Sequence, residues 1–205
     1  MKNILSILIF VPGLIFSQID TTDINNLNSK NQKTGIWKEI ILPNDEQNLS
    51  DTLIGYFTFK KDKKNGEYQI NNLDDVILIE GSYKNGFLDG EITNYYLNGF
   101  KKSQFYLRNN KMNGSFTSYW ENGKIKTSKF YKNGIVIGTI KHYYEDGSLH
   151  MKIKKNNQDS KKEYWELYYK NGKMKAEGEK LNNENIGVWK EYTENGKLLK
   201  ETEYK

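Results

Sequence analysis

The sequence predicts an all-β chain built of tandem β-hairpins, and three observations carry that prediction. One eight-residue shape recurs as YYLNGFKK at 95–102, YWENGKIK at 119–126, YYEDGSLH at 143–150, YYKNGKMK at 168–175 and YTENGKLL at 192–199. Gly66, Gly90, Gly114 and Gly138 stand 24 residues apart, and Gly187 follows 49 residues later, two units plus one extra residue. The glycine of an Asn-Gly or Asp-Gly pair falls nine residues after most of these, at Gly99, Gly123, Gly147 and Gly196. Asn-Gly between two β-like runs is the strongest short-range hairpin signal, because a type I′ turn needs positive φ at both central residues. No helical period competes with it.

Taken in order, the first element stands apart from the repeats. MKNILSILIFVPGLIFSQ opens with the positive Lys2 and runs apolar from Ile4 to Phe16, broken only by Ser6 and Pro12-Gly13. Ile15-Phe16-Ser17 before Gln18 fits a small-residue cleavage site. Residues 1–17 therefore read as a secretory signal, too short to span a bilayer comfortably. The polar DTTDINNLNSKNQ that follows offers a buried strand no partner, so residues 18–34 read as a linker. The chain has no cysteine, which removes a lipid-acylation site, a disulfide and a thiolate metal site. Export then means the periplasm or the medium.

The repeat array covers residues 35–205, with units starting near 35, 66, 90, 114, 138, 163 and 187. Each unit predicts two strands of about eight residues around the Asn-Gly turn. A second Gly or Asn cluster, as in YKNGFLDG at 83–90 and YKNGIVIG at 131–138, turns into the next hairpin. The unit at Glu163 has lost its glycine, and Asp74-Asp75 gives the Gly66 unit a weaker turn. Two stretches are irregular: PNDEQNLSDT at 43–52 and KKNNQDSKKE at 154–163.

A two-residue turn sets the cross-strand pairs, and facing residues share one side of the sheet. Trp120 then meets Ile125, Tyr144 meets Leu149, and Tyr169 meets Met174. Ile92, Phe116, Ile140, Trp165 and Trp189 fall on this side, the predicted core face. On the other side Tyr95 meets Lys102, Tyr119 meets Lys126, Tyr143 meets His150, and Tyr168 meets Lys175. That face is a ladder of tyrosines flanked by cations. The same register sets Gly114 against Tyr131, Gly66 against Tyr83 and Gly187 against Tyr204, so an aromatic ring is expected to cover each bare glycine.

The pattern G-x-[W/F/I]-x-x-Y-[Y/W]-x-N-G-[K]-[L/I/M]-K, followed by Y-x-N-G, resembles the bacterial variant of the MORN repeat over about residues 35–205. The resemblance implies an elongated single-layer antiparallel sheet of hairpins. It implies a scaffold for protein contacts, with membrane-lipid binding proposed for some members. Bacterial relatives often carry an antitoxin label.

Composition narrows the function classes. Hydrophobic residues make up 36% and charged residues 28%, which argues against a large globular core. Net charge is +5, but 26 acids are spread among 31 bases and Arg108 is the lone arginine, unlike the basic face of a nucleic-acid binder. The only histidines, His142 and His150, sit in repeat columns rather than in a metal-ligand spacing. No converging acids, bases or nucleophiles appear, so neither an enzyme nor a cofactor or metal site is expected. The tyrosine–lysine ladder of Tyr95, Tyr119, Tyr143, Tyr168, Lys102, Lys126, His150 and Lys175 is the candidate partner surface. Its plain alternative is a solvated face with lysine stems along tyrosine rings. A protein partner is the leading reading, and a cell-wall glycan or anionic-lipid binder is the alternative.

Overall fold

The computed structural model describes residues 24–43, 51–155 and 161–205. The signal segment, most of the 43–52 stretch and half of the 154–163 stretch lie outside the described residues. The strands in chain order are β1 Asn26–Leu27, β2 Lys33–Ile41, β3 Leu53–Lys60, β4 Lys63–Asn71, β5 Ile77–Lys84, β6 Phe87–Leu88, β7 Gly90–Tyr95 and β8 Lys101–Arg108. They continue with β9 Lys111–Tyr119, β10 Ile125–Lys132, β11 Ile135–Tyr143, β12 Leu149–Lys155, β13 Lys162–Tyr168, β14 Met174–Leu181, β15 Glu184–Tyr192 and β16 Leu198–Tyr204. They form one open antiparallel sheet in sequence order, with the short β6 paired to β5 beside the main path. β1 pairs with β2 through Asn26–Thr34 and Leu27–Lys33, so part of the predicted linker is in the sheet. No helix occurs among the described residues.

Two kinds of turn line the two edges, and the type I′ turn is not at the repeated Asn-Gly where the sequence predicts it. At the repeated Asn-Gly, only the glycine has positive φ, for example 81° at Gly123. Gly123 N–H donates to the Trp120 carbonyl at 2.9 Å, and Trp120 N–H donates to the Lys124 carbonyl at 2.8 Å. This is a three-residue loop, a type I turn followed by a left-handed glycine and a bulge. The type I′ turns stand on the opposite edge, where φ is positive at both Asn133 and Gly134, and at both Asn109 and Asn110.

The loop shifts the predicted register by one residue beside each turn. Tyr119 faces Ile125, Tyr95 faces Lys101, Tyr143 faces Leu149, and Tyr168 faces Met174. The predicted pairs Trp120–Ile125, Tyr144–Leu149 and Tyr169–Met174 are therefore not formed. Nor are the pairs Tyr95–Lys102, Tyr119–Lys126, Tyr143–His150 and Tyr168–Lys175. The bulge absorbs the slip, and from Ser118–Thr127 onward the pairing is the predicted one.

The leading glycines do face Tyr131, Tyr83 and Tyr204, but a covering ring is not what requires glycine there. Gly114 lies in a bulge, where residues 113–115 oppose Tyr106 alone. Its φ is 135°, and a Cβ would stand 2.9 Å from that of Tyr106. Rings cover other glycines instead: the Trp189 indole lies on Gly178 in β14, and Phe57 lies on Gly55 in β3.

The core face is where the sequence expects it. Ile92 and Trp189 are buried on it, while Phe116, Ile140 and Trp165 are half-buried. Ile153 joins them beside Trp165. The densest packing lies toward the N-terminus, where Phe57, Phe59, Tyr68 and Ile92 form one cluster. The Phe57 and Tyr68 rings stack with centroids 5.7 Å apart. A single layer cannot dry its own faces, and no described large side chain falls below 2% exposure.

Candidate functional site

The eight candidate residues separate into two groups. The cations do not reach the tyrosines. They lie against the second aromatic of each motif instead, because the bulge carries the residue after the turn toward it. Lys126 Nζ stands 4.3 Å from the Trp120 ring centroid, Lys102 is 5.8 Å from that of Tyr96, and Lys175 is 5.7 Å from that of Tyr169. The His150 ring lies tilted against that of Tyr144, with centroids 4.3 Å apart. A cation over a ring face is favourable by about 0.5–1 kcal/mol at exposed sites.

Those second aromatics also tie the units together. Tyr96 Oη donates to the Tyr119 carbonyl at 2.9 Å, Tyr144 to that of Tyr168 at 2.9 Å, and Tyr169 to that of Tyr192 at 2.8 Å. Trp120 Nε1 does the same to Tyr143 at 3.3 Å. The second aromatic thus needs a polar donor as well as a ring, and in the first four motifs it is Tyr or Trp.

The first tyrosines lie on the opposite face with partners the sequence reading missed. Tyr95 Oη donates to Glu80 at 2.7 Å, and Tyr168 Oη donates to Glu166 at 3.1 Å. Tyr164 and Tyr192 both donate to Glu177, each at 2.7 Å. Burial first, then the bond to the Glu166 carboxylate, pushes the Tyr168 phenol up to about 12. Burial, with the Glu91 charge second, raises that of Tyr119. Glu166 is itself only 8% exposed. It accepts from Lys154 at 2.7 Å and lies 2.9 Å from Lys152. Burial raises its carboxyl, but the bonds from Lys154, Lys152 and Tyr168 outweigh this and hold it below the usual value. A signal for these acids does exist: Glu80 in VILIEGSY and Glu166 in YWELYY are lone carboxylates inside apolar strand runs.

His142 sits on the core face with Nδ1 at 3.0 Å from Thr127 Oγ1. Burial, then His150 and Lys129, lowers its pKa, so the ring is neutral near pH 7. Among the described residues, no three His, Cys, Asp or Glu side chains are grouped to hold a metal ion.

What the arrangement offers chemically is contact area. The two faces carry half-exposed aromatics, some under lysines and some bonded to glutamates, along a sheet of sixteen strands among the described residues. No curated protein matches the chain. Residues 112–133, 164–179 and 186–205 match the family model described as the MORN repeat variant, and each matched segment is one hairpin: β9–β10, β13–β14 and β15–β16.

Proposed function

We propose that this chain is an exported, non-catalytic repeat scaffold that binds a protein partner, with an antitoxin-like or immunity-like role as its most concrete form. One observation carries the binding reading. The sheet is a single layer whose faces stay half-exposed, and tyrosine and tryptophan on them give large contact area while tolerating water. Repeat arrays present such extended surfaces to partners. Export is supported by the signal pattern of residues 1–17. The antitoxin-like role is supported by the family resemblance alone.

The test is affinity capture on the chain purified from its own host, alongside retention on peptidoglycan and on anionic vesicles. A single stoichiometric protein is the expected result. Retention on the glycan or the vesicles without such a protein would sink the reading. Intact mass of the exported protein should correspond to a start at Gln18, and Met1 retained on it would end the export reading.

A further inference from the structure

We propose that the middle of the tyrosine face, across β5 to β11, docks an acidic partner segment through apolar anchors. This rests on the protein-binding reading above and adds the place and the chemistry.

Apolar side chains stand open there. Phe130 and Ile137 face each other directly across β10 and β11, yet they are 50% and 37% exposed. Tyr106 on β8 shares their face and is 43% exposed. Exposed apolar clusters of this kind mark interaction sites on soluble proteins.

The cations around them pair with no internal acid among the described residues. Lys84, Arg108, Lys132 and Lys141 point to this face, and none has an ion pair or side-chain hydrogen bond among the described residues. Further along the same face the opposite holds: Lys152 and Lys154 pair with Glu166, and Lys162 pairs with Glu179 at 2.9 Å. On β12 and β13 the lysines of this face pair with glutamates, and these four in the middle do not.

Beside Phe130 and Ile137 the unpaired Lys84 and Arg108 meet the open Tyr106 in a groove of about 560 Å³, which Phe87 also lines. Asp89, which lines the groove, and Glu91 next to it are both engaged. Asp89 accepts the Asn109 N–H at 3.3 Å, and Glu91 accepts from Gln104. An arginine fork and a lysine beside two rings fit a carboxylate followed by an apolar side chain.

Charge selects the occupant. A second copy docking the same patch would set these cations against themselves. A bilayer would have to meet the whole face, including Glu177, Glu179, Glu201 and Glu203. An acidic segment can confine itself to the middle.

The probe is a labelled extended peptide alternating glutamate with leucine, with a lysine-for-glutamate counterpart, added to the full chain. The acidic peptide should bind, and more weakly as salt rises. The basic one should not. Phe130→Ser, and separately Lys84→Glu with Arg108→Glu, should each weaken binding at least tenfold with the circular dichroism spectrum unchanged. Tyr168→Phe should not weaken it. If Phe130→Ser fails to fold, the charge-reversal variant at exposed positions carries the test. Equal binding of both peptides, binding of neither, or binding insensitive to the variants would overturn the proposal. So would variant-sensitive retention on anionic vesicles, or self-association lost in Phe130→Ser. Capture of a stoichiometric host protein despite such a failure would leave the protein-binding reading standing. Peptide binding without any host partner would do the reverse.

Discussion

At Asn122 one side chain makes two hydrogen bonds of different reach. Its Oδ1 accepts the Lys124 N–H at 3.0 Å, which holds its own turn. Its Nδ2 donates to the Glu145 carbonyl at 3.0 Å, which holds the turn of the next unit. Asn98 and Asn171 repeat both bonds, whereas Asp146 keeps only the first kind. Asparagine therefore recurs because it carries a donor and an acceptor on one short side chain. Asn122→Asp should lower stability by about 0.5–1 kcal/mol, read from urea unfolding with the m-value unchanged. Tyr169→Phe removes only the hydroxyl that bonds the Tyr192 carbonyl. It should cost about 0.5–1.5 kcal/mol, and the same change at the exposed Tyr204 should cost nothing measurable.

Within the strands, fit between neighbours decides tolerance. A Cβ on Gly178 of β14 would overlap the Trp189 indole from β15. Gly178→Ala should destabilise by about 1–3 kcal/mol through overpacking. The penalty should vanish in a Trp189→Leu background, which a double-mutant cycle can measure. The β12–β13 pair offers a test by pH. Glu166 has its carboxyl held below the usual 4.5 by Lys154, Lys152 and Tyr168, against burial. A depressed acid contributes stability that is present above the unfolded value and lost as pH falls through the folded one. Melting temperature should therefore drop as pH falls below about 4.5, and Glu166→Gln should flatten that drop while lowering stability at pH 7. An unchanged acid limb in the variant would remove Glu166 from the account.

Across the whole molecule, each strand leans on its sequence neighbours, so stability is a sum of local terms. The N-terminal cluster of Phe57, Phe59, Tyr68 and Ile92 is the densest packing, while the C-terminal units are held by Ile153 and by Trp189 on Gly178. Hydrogen exchange should show the strongest protection in β3 to β5 and the weakest in β16, whose strand is exposed except at Thr202. Trp165→Ala should raise exchange in β12 to β16 and leave β3 to β5 unchanged. Uniform loss of protection would mean that the sheet unfolds as one unit.

The sequence by itself determined the all-β class, the hairpin period and the core face, because these follow from alternation and from turn residues at fixed spacing. Ile92 and Trp189 are legible that way, since a period of two needs no knowledge of neighbours. Only the tertiary structure decided which turn each Asn-Gly makes. Both a type I′ turn and a type I turn with a glycine bulge accept Asn-Gly. The choice turns on bonds such as Asn122 to Glu145, which exist only once units stack. That choice moved every residue beside the turn by one place. It set Lys126 on Trp120 rather than beside Tyr119. It is also the pairing of strands that set Tyr95 beside Glu80 and left Phe130 and Ile137 open to water.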